Sequence, residues 1–240
     1  MDDIVVLLTA TVDVGDVVLI ERRNRELRIR DYQAALARWC TASGVTKVVM
    51  GENSGFDLEQ LIPAQKTVDL ELISYKEAPF LPELGKGFGE LSTIRHVLKH
   101  SRSIRSESFI LKVTGRYFVE NISAVVQHLS ESPPLATMCD FSRNLTFCDS
   151  RVFGGSVEFL QGFLCPLIGI ANDSAGVYIE HCLARAGHSA IAAGLRWGPP
   201  PCWLDIRGIS GTGNYTYSAS LARRLYRQFR LKLKRHLLAK

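Results

Sequence analysis

The chain has 240 residues, of which 46% are hydrophobic and 22% charged, with a net charge of +5. That composition excludes a disordered chain, and the length suits one well-buried α/β domain better than two. The longest apolar stretch, around 163–171, is broken by Pro166 and by glycine and is too short to span a bilayer, so a soluble or peripheral protein is expected.

In chain order, Ile4 to Leu8 is a continuous β-branched and apolar run, read as a buried parallel strand that ends in Thr9-Ala10-Thr11. Helical periodicity (Tyr32, Leu36, Trp39, Cys40) predicts a helix over 30–43 that stops at Gly44. Lys47 to Met50 is a second buried strand, followed by Gly51-Glu52-Asn53-Ser54-Gly55, and Asp57 caps a short helix that Pro63 stops. Leu70 to Tyr75 is a third strand. Gly85-Lys86-Gly87-Phe88-Gly89-Glu90 reads as a glycine-rich loop before a helix that runs to about Ser101. A fourth strand over 109–119 is broken at Thr114-Gly115-Arg116, and a helix over 122–129 follows. The segments 135–141 and 145–153 read as strands, a candidate hairpin across Ser142-Arg143-Asn144, and 157–164 and 175–186 as helices. Gly198-Pro199-Pro200-Pro201 closes the regular structure, 208–214 is a polar loop, and a last helix starts near Ser218. Alternation of strands and helices followed by a mixed order predicts an α/β fold: a mostly parallel sheet with helices on both faces, extended by an antiparallel portion. The expected division is a domain over 1–216 and a basic helix over 217–240.

The six cysteines form no C-x-x-C pair and no zinc spacing, which fits a reducing cytoplasm. The N-terminus lacks the basic region of a signal peptide. Eight of the 29 basic residues and none of the 24 acidic ones lie in 217–240, which leaves the rest with a net of −3. The positive charge is therefore local. Leu221, Leu225, Phe229 and Leu233 recur every fourth residue among Arg223, Arg224, Arg227, Arg230, Lys234 and Arg235. Such a basic amphipathic helix either lies in an anionic membrane interface or docks on its own domain with a solvated face. A nucleic-acid partner is not expected, because the remaining domain is net acidic and carries no module of that kind.

In open α/β sheets, ligands bind beyond the carboxyl ends of the strands. Three such ends are polar and small: Thr9-Ala10-Thr11-Val12-Asp13, Glu52-Asn53-Ser54-Gly55 and Thr114-Gly115-Arg116. They serve either as ligand turns or as ordinary βα turns. The Gly85–Glu90 segment could offer backbone N–H groups and Lys86 to an anion, although it is neither a Walker loop nor a dinucleotide fingerprint.

Taken together, Lys86-Gly87-Phe88-Gly89-Glu90, Phe109-Ile110-Leu111-Lys112-Val113-Thr114-Gly115-Arg116-Tyr117 and Asp149-Ser150-Arg151-Val152-Phe153 resemble bacterial surface-polysaccharide glycosyltransferases of the GT-A type. These are enzymes of capsule and O-antigen assembly, galactan galactosyltransferases among them, and the similarity covers roughly residues 3 to 215. The resemblance implies a GT-A-like (Rossmann-like) mixed sheet, a UDP-sugar donor and transfer of a hexose such as galactose to a lipid-linked saccharide. It also implies a cytoplasmic protein peripheral to the inner face of the plasma membrane. The alternative is a non-catalytic, membrane-tethered module that binds nucleotide or glycan. Donor contacts then fall to Thr9, Thr11, Asp13, Asn53, Lys86, Gly87, Gly89, Thr114, Gly115 and Arg116.

GT-A enzymes usually hold a divalent metal on Asp-x-Asp. Here Thr114-Gly115-Arg116 stands in that place, and no Asp-x-Asp occurs in the chain. No metal ligand is assigned and no cofactor is expected to be required, with Mn or Mg as the alternative. Arg116 either pairs phosphate oxygens in the metal's stead or pairs a carboxylate. Glu180, on a helix capped by Asn172-Asp173-Ser174, is the first choice of general base and Asp149 the second; His181 orients its neighbour or packs in the core. Arg151 and Trp197 are assigned to the acceptor, with Trp197 and Trp203 serving either as sugar platforms or as core.

Overall fold

The structure, a computed structural model, describes residues 3–79, 81–217 and 221–238. Its elements, in chain order, begin with strand β1 (Ile4–Ala10), helix α1 (Arg25–Trp39), β2 (Lys47–Glu52), β3 (Asp69–Ser74) and α2 (Gly85–His100). The middle of the chain forms β4 (Phe109–Thr114), β5 (Tyr117–Val119), α3 (Ile122–Glu131), β6 (Thr137–Met138), β7 (Phe141–Ser142), β8 (Phe147–Cys148) and β9 (Val152–Ser156). Then come the short α4 (Val157–Phe159), α5 (Ile179–Ala192), β10 (Trp197–Gly198), β11 (Ile206–Ile209), β12 (Thr216–Tyr217) and α6 (Leu221–Leu238).

The central sheet has seven strands in the order β10-β6-β9-β4-β1-β2-β3. β1 pairs in parallel with both β2 and β4, β3 is parallel to β2, and β9 runs antiparallel between β4 and β6. The fold is thus the α/β class expected, a GT-A-like, Rossmann-like mixed sheet flanked by helices. The period of two places the sheet between two cores. Val6, Leu8 and Ala10 of β1 join Tyr32, Leu36 and Trp39 of α1 on one side. Val5 and Leu7 join Leu91, Ile94 and Val97 of α2 and Cys182 and Leu183 of α5 on the other.

Several boundaries differ from the sequence reading. α1 starts earlier, because the Asn24 side chain accepts from Leu27 N–H (2.9 Å) and caps it there. Gly44, at φ +82°, lies in the turn beyond the helix, whose C-cap is Cys40. The glycine-rich segment is not a loop: Gly85 to Gly89 form the first turns of α2. Asn172 caps only a single 3-10 turn, accepting from Ala175 N–H (3.1 Å), and α5 begins later, at Ile179 with Tyr178 as its N-cap. The proline run does not end the regular structure, since β11 pairs with β5 and β12 in a second sheet. The β7–β8 hairpin matches expectation.

α6 is a helix as predicted, and Leu231 buries it against the domain. Ser218 and the side chains of Leu221, Arg223, Arg224, Lys234 and Arg235 lie outside the described residues. Among the described residues, no helix is long and apolar enough to cross a membrane.

Candidate active site

The strand order reverses between β1 and β4, and the chain leaves these two strands in opposite directions across the sheet. Beyond their carboxyl ends lies a cavity of about 1050 Å³, where an open α/β sheet places its ligand. The volume suits a ligand the size of a nucleotide sugar. All three polar strand ends contribute to it, through Thr9 and Thr11, Asn53, and Thr114 and Arg116.

Glu52 builds the rim on one side. Buried at the end of β2, it accepts from Val12 N–H (2.9 Å), Ser54 N–H (3.0 Å) and Phe56 N–H (2.9 Å). One carboxylate thereby fixes two turns, and Thr11 and Asn53 meet across them, Oγ1 to Oδ1, at 2.7 Å. Gly115 is required here: its N–H bonds to the Thr9 carbonyl (2.8 Å), and a Cβ would sit 2.8 Å from that oxygen. It holds β4 to β1 without lining the cavity.

The floor is a buried polar chain. Lys112, wholly buried on β4, forms an ion pair with Glu90 of α2 and donates to the Ser150 carbonyl (2.7 Å). Glu90 also accepts from Thr9 Oγ1 (2.9 Å), and Ser150 Oγ donates to Glu180 Oε1 (2.8 Å). Such a network rigidifies a site when every member is satisfied. Glu90 and Lys112 fall in the segments that carry the resemblance, but the sequence alone assigns neither a role.

On another wall, two arginines converge on one phenol. Arg28 and Arg116 each donate to Tyr32 Oη at 3.2 Å, and Thr11 N–H reaches the same oxygen at 3.0 Å. A phenolic oxygen has two lone pairs, so three donors exceed what it can accept. Arg116 is 8% exposed, and among the described residues its Nε has no partner and no carboxylate pairs with it. Burial pulls the Arg28 pKa below its usual value, and the like charge of Arg116 acts in the same direction. Burial opposes the Arg116 charge too, but Tyr32 and Tyr117 outweigh it and raise that pKa. The costs an anion bound here would relieve are the depressed Arg28 and the unpartnered Arg116 Nε. Arg28 was missed because it lies before the helix expected over 30–43, and only the earlier start of α1 at Arg25 brings it to the site.

Asp149, Arg151 and Glu180 all line the cavity. Asp149 and Arg151 are bound to each other, with Arg151 Nε donating to Oδ1 at 2.8 Å. Burial opposes the Arg151 charge, but the Asp149 carboxylate outweighs it and raises the arginine's pKa. A carboxylate already held by a guanidinium is a poor metal ligand, and among the described residues no cluster of three or more metal-ligating side chains occurs.

Asp13, Lys86 and Gly89 also line the cavity, and Lys86 Nζ donates to Thr212 Oγ1 (2.7 Å) across its mouth. The start of α2 is nevertheless not open to an anion. Asp173 already occupies it, its Oδ2 accepting from Gly87 N–H (3.2 Å). The glycines make that approach possible: a Cβ on Gly87 would lie 2.8 Å from Asp173 Oδ1, and Gly85 has a φ of +84°. Gly87 therefore packs on a carboxylate and does not line the cavity.

Two further assignments are corrected. His181 does not line the cavity; its Nδ1 accepts from Tyr178 N–H (3.2 Å) and caps α5. Trp197 lies outside the cavity as well, donating to the Cys139 carbonyl (3.0 Å) with its ring centre 5.2 Å from that of Phe141. Trp203 does line the cavity, beneath the guanidinium of Arg227 at 4.2 Å.

Fold and cavity together define an α/β protein of Rossmann-like layout with a ligand-sized site at the reversal of strand order. No family model matches the chain, and no curated protein matches it at a significant level. Among solved structures, a protein assigned as glucose-1-phosphate thymidylyltransferase from Bacillus anthracis, in complex with sucrose, is similar at 9% identity. Its TM-score is 0.45, over 88% of this chain and 90% of that one. A cytidylyltransferase from Leptospira borgpetersenii is 12% identical, TM-score 0.46, over 90% and 82%. The 2-C-methyl-D-erythritol 4-phosphate cytidylyltransferase of Francisella tularensis is 7% identical, TM-score 0.45, over 91% and 95%.

Proposed function

We propose that the chain is a glycosyltransferase that moves a hexosyl group, galactose or a close relative, from a UDP-sugar to a lipid-linked saccharide in bacterial polysaccharide synthesis. The observation that supports it is the pair of buried arginines, Arg28 and Arg116, in the same cavity as Glu180. The preference for uridine and for hexose comes from the resemblance of the three sequence segments to surface-polysaccharide glycosyltransferases.

In this reading the donor's diphosphate lies against Arg116 and Arg28, which neutralise the charge that builds on the leaving group. The acceptor hydroxyl attacks the anomeric carbon, its oxygen forming the new glycosidic bond as the bond to the diphosphate breaks. Glu180 takes the hydroxyl proton, and UDP departs with the electron pair. The two guanidinium groups supply the positive charge that a divalent ion gives in enzymes with Asp-x-Asp. Asp149 serves to hold Arg151, which is then positioned for the acceptor.

The test is a melting-temperature series with UDP, UDP-sugars, ATP and NAD, followed by an assay of free sugar released from UDP-galactose. A ligand that binds only the native state raises the melting temperature by mass action. Uridine ligands should give the larger shift, and slow donor hydrolysis should accompany it. Equal or absent shifts would refute the donor assignment, whereas a uridine shift without any hydrolysis would favour the non-catalytic binding module.

A further inference from the structure

The exposed apolar residues of α6 are not scattered. At 100° per residue, Leu225, Phe229, Leu233 and Tyr226 fall at 0°, 40°, 80° and 100°, a single contiguous arc. All four are exposed, at 63%, 66%, 49% and 62%. The opposite side of the helix faces the domain: Leu231 is buried, Gln228 Oε1 accepts from Trp203 N–H (2.6 Å), and Arg227 stacks on the Trp203 ring. The arc therefore points away from the protein. Exposed Lys232 and Arg230 border it on its two sides, and no acidic residue occurs anywhere in 217–240.

We infer that this outward arc of α6 inserts into the interface of an anionic membrane and sets the mouth of the cavity beside the lipid surface. Charge complementarity selects the occupant. The exposed Arg230 and Lys232 beside the arc, in a segment without an acidic residue, are drawn to anionic headgroups, while an arc of two leucines, a phenylalanine and a tyrosine suits the boundary between headgroups and acyl chains. A nucleic acid would leave the exposed apolar arc of Leu225, Tyr226, Phe229 and Leu233 without a partner. The position of the mouth follows from the same helix, since Arg227, Arg230 and Leu231 line the cavity. This deepens the reading of the cavity as a glycosyl-transfer site and rests on it for one point, that the acceptor arrives carried by a lipid.

The experiment is co-sedimentation of the full chain with vesicles of phosphatidylcholine alone or mixed with phosphatidylglycerol, at low and high salt. Binding should require phosphatidylglycerol and weaken with salt. The variant Leu225→Ser/Phe229→Ser, which keeps the charge and touches neither cavity nor domain core, should bind at least about tenfold more weakly. Lys232→Gln should cost a few-fold, by the loss of one interfacial cation. Both should keep the wild-type melting temperature and donor-induced shift. Equal binding of wild type and double variant would overturn the inference. So would a concentration-dependent dimer that the double variant abolishes without any vesicle binding, or binding of an oligonucleotide with none of vesicles. Vesicle binding with no uridine-dependent shift would refute the donor reading alone and leave the membrane surface standing.

Discussion

The hydroxyl of Ser150 donates to Oε1 of Glu180 at 2.8 Å, and the carbonyl of the same serine takes a hydrogen bond from the buried Lys112. Glu180 is thereby tied through one residue to the ion pair in the cavity floor. Its carboxylate is held in place while its side chain lines the cavity. Losing a positioned general base costs about 10²- to 10⁴-fold. Glu180→Gln should lower kcat by about that factor while the donor-induced shift in melting temperature stays unchanged. Near-normal turnover would remove Glu180 from the mechanism and bring Asp149 forward.

His181 offers an internal control on the neighbouring position. Because its ring caps α5 and does not line the cavity, His181→Ala should cost about 0.5–2 kcal/mol of stability and leave kcat close to wild type. Denaturant melts and steady-state kinetics on the same preparation check both halves. A large fall in kcat at unchanged stability would return His181 to the chemistry.

Arg116→Lys keeps the charge and removes the planar fork. Hydrogen bonds to charged groups are worth about 1.5–3 kcal/mol, so the donor KM should rise about tenfold to a hundredfold. Arg116→Lys with an unaltered donor KM would place the diphosphate elsewhere. Arg28→Lys should lower the melting temperature as well, because Arg28 also ties the Thr11 carbonyl (2.9 Å) and the Arg22 carbonyl (3.1 Å) to α1.

Transfer should be little changed by EDTA. The reason is the two arginines at the proposed diphosphate position and an Asp149 already held by Arg151. Turnover that EDTA abolishes and Mn²⁺ restores would contradict this, and Asp140 and Asp149, which both line the cavity, would be the carboxylates to replace.

Asp173 predicts a pH dependence of stability. Burial raises its pKa above the usual 3.8, against the opposing Gly87 N–H and Lys86, with Glu180 adding a smaller push upward. A group whose pKa is raised by folding binds its proton more tightly in the native state. Its contribution is complete below the unfolded value and is lost as pH rises through the native one. Asp173→Asn keeps an acceptor for Gly87 and carries no charge. It should melt above wild type at pH 7–8 and converge with it near pH 4. The opposite order at neutral pH would show that α2's N-terminus favours the charge more than burial penalises it.

Much of the fold was legible because its signals are local. The β-branched run Ile4–Leu8, the Asp57 cap and the break at Thr114-Gly115-Arg116 each act within a few residues. The tail was legible for the same reason, since its period and its charge lie in one short stretch. The glycine-rich segment was misread because Gly-x-Gly-x-Gly disfavours a helix by propensity alone. What reverses that preference is Asp173, 86 residues away, whose carboxylate fits only where side chains are missing and accepts from the helix's own N–H groups.

The sequence by itself determined the α/β class, the strand ends that border the site, and a C-terminal helix with one apolar stripe. Only the tertiary structure decided which polar residues share a cavity. Tyr32 and Arg116 are 84 residues apart and meet because β4 lies beside β1, with α1 packed across both. Glu90 reaches Lys112 because α2 crosses the same strands from the other face. It also separated two tryptophans that the sequence reads alike, setting the Trp197 N–H on a carbonyl outside the cavity and leaving Trp203 to line it. The physical reason is that periodicity and capping are settled by neighbours along the chain, whereas the partner of a buried charge is settled by which strands pair.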